Sequence, residues 1–167
     1  MYALASHLAG APLYGPVEME GKYGHVHEMP EEMVLETVES FGKAAAFAKR
    51  VGFGMVTIHG GHGWLHAQFL SPYINTRKDR WGGSFENRMR FSLAVVESIR
   101  RHCGKNFPIE FRMSGSECFE GGYDLDEGIA IAKALDGKVD IIHVSAGNHE
   151  IPDSSIITHP SMFMEDG

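Results

Sequence analysis

Helix-periodic segments alternate with short apolar runs from Pro30 to Val144, and this alternation restricts the fold more than any other feature. Pro30 suits a first helical position, and Glu31 and Glu32 behind it complement the positive end of a helix dipole. Val34, Val38, Phe41, Ala45 and Ala48 recur at helical spacing up to about Arg50, and Gly52 offers a stop. Met55-Val56-Thr57-Ile58 then reads as a short buried strand. Ser84 is a good N-cap for a second helix, whose apolar face carries Phe91, Val95 and Ile99. Lys105-Asn106 turns the chain, and Pro108 admits a strand from Ile109 to Met113. Asp124 followed by Glu127 forms a capping-box pattern ahead of Ile129, Ala132 and Leu135; Gly137 ends that helix, and Ile141-Ile142-His143-Val144 is a third strand. Helices alternating with apolar strands predict an α/β fold with parallel strands and right-handed crossovers. Residues 1–29 lack any period and are punctuated by Pro12, Gly15, Pro16, Gly21 and Gly24, so they are expected to be a loop-rich segment ahead of an α/β unit over 30–167.

With 167 residues, 43% hydrophobic and 22% charged, the chain can bury a real core as one soluble domain. A net charge of −7 with no Lys/Arg-rich run argues against a nucleic-acid partner. No apolar run approaches about 18 residues and the start lacks a basic-then-apolar pattern, so no membrane partner is expected and the cytoplasm is the default compartment. Cys103 and Cys118 are too few for a disulfide framework and form no CxxC pair.

The chemistry concentrates just past the first strand, where His59 and His62 are followed by a long loop with turn glycines Gly82 and Gly83. Carboxyl ends of parallel strands are where α/β proteins place catalytic groups. Two imidazoles there can grip a polarised oxygen, or they can simply satisfy buried backbone groups. A metal site built from His59, His62 and His66, with His25 and His27 upstream, is an alternative, since His62 and His66 would share a face if helical. Gly63 stands where an HExxH site needs its glutamate, and no cysteine or carboxylate obviously completes a set, so no metal is assigned.

Four linked segments carry a family resemblance: Ile58-His59-Gly60-Gly61-His62-Gly63-Trp64-Leu65, Gln68-Phe69-Leu70-Ser71-Pro72, Asn75-Thr76-Arg77-Lys78-Asp79 and Gly82-Gly83-Ser84-Phe85-Glu86-Asn87-Arg88. Together they closely resemble the Old Yellow Enzyme family, FMN-dependent NAD(P)H:flavin oxidoreductases and ene-reductases on a (β/α)8 barrel. The flavour is nearest to bacterial dienoyl-CoA reductase-like and bile-acid-inducible-like members. The match runs from about Pro30 to Asn148 and implies a partial TIM barrel holding the fourth, fifth and sixth strands. The first, second, seventh and eighth strands, the FMN phosphate site and the cysteine cluster that holds [4Fe-4S] in larger relatives are missing from the pattern. The chain therefore reads as a barrel excerpt, expected to bind FMN weakly or not at all by itself. An open three-stranded sheet favours pairing with a second copy, so a homo-oligomer is expected, as is a cofactor-free half-barrel if the flavin site stays incomplete.

The resemblance implies that His59 and His62 donate hydrogen bonds to the carbonyl oxygen of a small-molecule substrate, an α,β-unsaturated carbonyl compound reduced by FMN and NAD(P)H. Preorganised donors stabilise the negative charge that develops on that oxygen. Trp64 occupies the usual position of a proton-donating tyrosine; an indole N–H has no useful acidity, leaving the proton to water, Tyr123 or Cys118, and Trp64 to pack or stack. Arg112 matches an arginine beside the flavin N1/C2 carbonyl edge, where a cation favours the anionic reduced ring. Its structural alternative is an ion pair with Glu110 or Glu117. Glu86, Asn87 and Arg88, with Arg77 and Asp79, are expected to tie the long loop to the barrel. Ser145-Ala146-Gly147 would let flavin or substrate approach the third strand's end.

Overall fold

The computed structural model describes residues 10–21 and 24–148. Its elements are β1 (Leu13–Gly15), β2 (Met19–Gly21), β3 (Gly24–Glu28), α1 (Glu31–Arg50), β4 (Val56–Gly60), α2 (Leu65–Leu70), α3 (Phe85–Cys103), β5 (Ile109–Ser114), α4 (Leu125–Leu135) and β6 (Ile141–Ser145). Strands β4, β5 and β6 form an all-parallel sheet in that order. The expected strand–helix alternation is therefore present, each strand running one or two residues further at its carboxyl end than the apolar pattern alone marks.

Each helix begins and ends where its local chemistry permits. Pro30 is the N-cap of α1 rather than its first turn, with Glu31 and Glu32 behind it and Lys49 and Arg50 at the far end. Ser84 Oγ accepts from Asn87 N–H at 3.4 Å to start α3, and Asp124 accepts from Glu127 N–H at 3.1 Å to start α4. The core lies between the sheet and these helices. Ile58, Ile109, Phe111 and Met113 point from the sheet into it and meet Val34 and Val38 of α1, Phe91, Val95 and Ile99 of α3, and Ile131 and Leu135 of α4. Phe69 and Phe91 stack at 4.3 Å, and burying each such ring stabilises the fold by about 1.5–3 kcal/mol. The opposite face of the same strands carries His59, Glu110 and Arg112. Strand alternation thus separates a structural face from a chemical one.

Of the segment expected to be loop, residues 1–9, 22 and 23 lie outside the described residues, and the others are not merely loop. Between Leu13 and Glu28 they form a second three-stranded sheet in the order β1-β3-β2, with β1 parallel and β2 antiparallel to the central β3. Its strands are three to five residues long and mostly exposed, so they show no apolar alternation. Pairing to β3 holds β2, while β1 also buries Leu13 and Gly15. Arg77 fastens this sheet to the rest: its Nη1 donates to the Pro16 carbonyl at 2.7 Å and the Met29 carbonyl at 2.9 Å, and its guanidinium pairs with Asp79. The long loop also contains the one-and-a-half-turn helix α2, where loop alone was expected. Asn75 Nδ2 closes that loop onto the Phe69 and Trp81 carbonyls, at 2.7 and 2.8 Å. Arg88 bonds the Leu70 and Gly83 carbonyls and Glu127, while Asn87 reaches the Gly82 carbonyl at 3.0 Å. The loop-tying roles read from Arg77, Asp79, Asn87 and Arg88 are met by these contacts.

Candidate functional site

The register of the parallel sheet sets the site. His59 of β4 pairs with Arg112 of β5, which pairs with His143 of β6. Side chains at one register level of parallel strands leave the sheet on one face, so these three form a row across it. One level earlier lie Thr57, Glu110 and Ile141. Thr57 Oγ1 donates to Glu110 Oε2 at 2.5 Å, and His143 Nδ1 lies 3.0 Å from Glu110 Oε1. These bonds, that of Thr57 above all, hold the Glu110 carboxyl below its ordinary pKa.

Glu110 is thus occupied by Thr57 and His143, and Arg112 makes no ion pair among the described residues. Glu117, the other partner the sequence allowed, is engaged elsewhere. It is 1% exposed and accepts from Ser71 Oγ at 2.6 Å, Tyr123 N–H at 3.2 Å and Asn148 Nδ2 at 3.2 Å. Burial pushes its carboxyl above the usual range. The Arg112 Nε is buried with no hydrogen-bond partner among the described residues. A buried cationic donor in that condition is costly unless a ligand supplies an acceptor.

His62 sits where few non-glycine residues do, at a left-handed φ of 59°. Three contacts hold it there. Its backbone N–H donates to Ser114 Oγ at 3.1 Å, its Nε2 lies 2.6 Å from Ser145 Oγ, and its backbone bridges to Asn148. Ser114 Oγ in turn donates to the Gly147 carbonyl at 2.9 Å. The carboxyl ends of β4, β5 and β6 are thereby knitted around one imidazole. Gly63 follows with φ 83°, and a Cβ there would collide with the Asn148 side-chain amide. The result brings the two histidine rings to 5.2 Å between centroids, at 78°, and sets Trp64 at 5.7 Å from His59. Trp64 is the N-cap of α2.

Ser114 and Asn148 were not marked by sequence reasoning, because they join the histidines only through tertiary contacts, and Glu117 was marked only as a possible partner of Arg112. Ser145, at the end of an apolar strand, carried a local signal. Tyr123 is unsuited to proton donation: burial pushes its phenol well above the ordinary value, and its hydroxyl donates to the Ser114 carbonyl at 3.0 Å. Cys118 is exposed, at a φ of 59°. The His59–His62–His66 metal alternative fails on geometry. His62 precedes α2 rather than sharing a helical face with His66, and His66 is buried against Phe41, Phe91 and Phe111 with Nδ1 3.0 Å from Ser92 Oγ. Burial pushes the His66 pKa down to about 3, so its imidazole is neutral.

Residues 6–155 match the model of the NADH:flavin oxidoreductase / NADH oxidase family. The chain belongs to that family. Among its relatives, an NADH oxidase of Thermoanaerobacter brockii is 44% identical over 126 residues, which cover 72% of this chain and 19% of the relative. A cinnamate reductase of Clostridium sporogenes is 37% identical over 156 residues, covering 84% and 23%. The chain spans about a fifth of the length of these relatives. Among solved structures, a 2-naphthoyl-CoA reductase in complex with 2-naphthoyl-CoA superposes with a TM-score of 0.80 at 34% identity, over 84% of this chain and 22% of that one. An Old Yellow Enzyme from Pichia sp. AKU4542 superposes with a TM-score of 0.71 at 25% identity, over 86% and 43%. The three parallel strands with their helices are thus part of a TIM barrel of the Old Yellow Enzyme type. Membership implies FMN and a nicotinamide reductant, and the buried, unsatisfied Nε of Arg112 fits an acceptor-bearing flavin edge. No helix among the described residues is long and apolar enough to cross a membrane.

Proposed function

We propose that this chain forms the substrate-activating part of an FMN-dependent NAD(P)H oxidoreductase that reduces an alkene conjugated to a carbonyl group. The observation that carries this reading is the approach of His62, just past the end of β4, to within 5.2 Å of His59, which shares its register level and sheet face with Arg112, whose buried Nε has no hydrogen-bond partner among the described residues. His59 and His62 donate to the carbonyl oxygen of the substrate, which gains negative charge as the alkene is reduced. The bond that His62 N–H donates to Ser114 Oγ and the contact of its Nε2 with Ser145 Oγ fix the His62 loop and ring before substrate arrives, so little reorganisation is needed. Arg112 holds the flavin's carbonyl edge. When bound, FMN supplies the redox chemistry, taking reducing equivalents from NAD(P)H. Trp64 forms a wall beside His59 and offers an apolar surface to a conjugated substrate.

The parallel sheet has edge strands β4 and β6, so closing a barrel around flavin requires strands beyond the described ones. We expect this polypeptide alone to bind FMN weakly and to associate with further copies through those edges. A [4Fe-4S] centre would need ligands besides Cys103 and Cys118. The test is anaerobic NAD(P)H-dependent reduction of an α,β-unsaturated carbonyl compound by the polypeptide that completes the barrel. His59→Ala and His62→Ala should each lower kcat about 10²–10³-fold while flavin stays bound. Undiminished alkene reduction in the double variant would overturn the assignment.

A further inference from the structure

The small N-terminal sheet carries a group of side chains that the flavoenzyme reading does not use. His25 and His27 are two apart on β3, so both leave one face of the sheet, and Glu18 precedes β2 on the same side. Ligand atoms of Glu18, His25 and His27 all lie within 4.8 Å of one another, and no other group of three or more such residues converges among the described residues. We propose that Glu18, His25 and His27 bind a zinc-like divalent transition-metal ion, clamping the β2–β3 hairpin.

Three features separate this group from ordinary surface ion pairing. The first is the orientation of Glu18. Its Oε2 accepts from the Glu28 backbone N–H at 2.9 Å, which leaves Oε1 facing His25 Nε2 at 2.5 Å and His27 Nδ1 at 3.7 Å. One carboxylate oxygen is anchored, and the other is presented between two imidazoles. The second is the outer partner of His25. Glu20 stands opposite His25 in the antiparallel register, with its Oε1 2.8 Å from His25 Nδ1. A metal-ligating histidine commonly donates its second ring N–H to a carboxylate, which turns the other nitrogen's lone pair toward the ion. The third is rigidity. β3 is the central strand, bonded on both sides, and Val26 between the two histidines packs against the positions of Gly15 and Gly21 from the opposite face.

The distances suit the ion. Ligands at about 2.0–2.1 Å around a tetrahedral centre stand about 3.3 Å apart. The Glu18–His27 spacing of 3.7 Å is near that value, and the Glu18–His25 spacing of 2.5 Å must open slightly, replacing a shared proton with the metal. Two imidazoles and a carboxylate select a borderline first-row ion over Mg²⁺ or Ca²⁺, with water completing the coordination. The side chains are about half exposed, so the ion can enter from solvent.

The test uses the chain purified without a His tag, stripped with a chelator and titrated with Zn²⁺ against a chromophoric competitor. One zinc per chain is expected, with Co²⁺ giving the visible bands of a low-coordinate site and Mg²⁺ giving no competition. Glu18→Gln, His25→Ala and His27→Ala should each weaken zinc about tenfold or more, and Glu20→Gln by less. Far-UV circular dichroism of the unliganded variants should stay unchanged, since the substituted groups are exposed. His59→Ala/His62→Ala should retain zinc, which keeps this site independent of the flavoenzyme reading. Absence of stoichiometric zinc, or zinc that persists in His25→Ala/His27→Ala, overturns the proposal.

Discussion

His59 and Arg112 occupy the same register position on adjacent parallel strands, so an imidazole and a guanidinium leave the sheet side by side on one face. The carboxylate that could have neutralised Arg112, Glu110, stands one level away and is bonded to Thr57 and His143 instead. A cation with a buried Nε that no group among the described residues accepts from is a costly arrangement for a structural residue and a useful one for a binding residue.

Replacing Arg112 with methionine should therefore separate stability from function. The substitution removes a buried donor that has no partner, so the urea midpoint should stay within about 0.5 kcal/mol of the parent or rise. Flavin affinity, measured by fluorescence quenching on the polypeptide that binds it, should fall about tenfold or more through loss of a charge-assisted bond. A large loss of stability would show that Arg112 is a structural ion-pair residue after all.

Arg88 should behave in the opposite way. It is 8% exposed and ties the loop end, the Leu70 and Gly83 carbonyls, to Glu127 at the start of α4. Arg88→Ala leaves two carbonyls and a carboxylate without their donor, and should cost about 3–5 kcal/mol by denaturant unfolding. Arg88→Lys should recover only part of this, because an ammonium cannot span three acceptors with a fixed fork. Equal stability of both variants and the parent would contradict this account.

How much of this was legible in the chain follows from where each signal resides. α1, α3 and α4 and the strands β4 and β5 bury one face each, so Val34, Phe91, Ile131 or Phe111 announce them by spacing, while β6 is announced by its apolar run Ile141-Ile142-His143-Val144 although Ile141 and Val144 are exposed. In the sheet at Leu13–Glu28 only the three-residue β1 is buried; Gly24-His25-Val26-His27-Glu28 is held by pairing on both sides, which leaves no periodic mark. His59, His62, Trp64 and Arg112 could be singled out because they sit in or beside strand ends within recognisable segments. Ser114 and Asn148 could not, because each reaches His62 from a distant part of the chain. The left-handed turn at His62 was likewise hidden: Gly63 advertises such a conformation, but a histidine does not.

Acid and alkaline limbs of stability should trace to different carboxyls. Burial raises the Glu117 pKa, so in the folded state it keeps a proton that the unfolded chain has already released. Its contribution is full below the ordinary carboxylate pKa and is lost as pH rises through the raised value. Asp79 has the opposite sign. The Arg77 bond lowers its pKa, so its contribution is present above the ordinary value and lost as pH falls through the lowered one. Urea unfolding across roughly pH 3 to 8 should show Glu117→Gln flattening the decline above the ordinary carboxylate value. Asp79→Asn should flatten the acid-side loss. A Glu117→Gln curve parallel to that of the parent would remove Glu117 as the source.

Proton delivery gives the sharpest test at the site itself. Trp64 packs 5.7 Å from His59, and its indole N–H cannot serve as an acid. With Tyr123 committed to the Ser114 carbonyl, water and Cys118 are left as proton sources for the proposed reaction. Trp64→Tyr places a phenol on the same N-cap, beside the histidines proposed to hold the substrate oxygen. In the flavin-bound polypeptide, this variant should raise the single-turnover rate of alkene reduction about 10²-fold where protonation is limiting, the lower end of what a positioned general acid contributes. Trp64→Phe should not. The solvent deuterium isotope effect should change in Trp64→Tyr alone. A rate and isotope effect identical in the two variants would mean that protonation does not pass through this position.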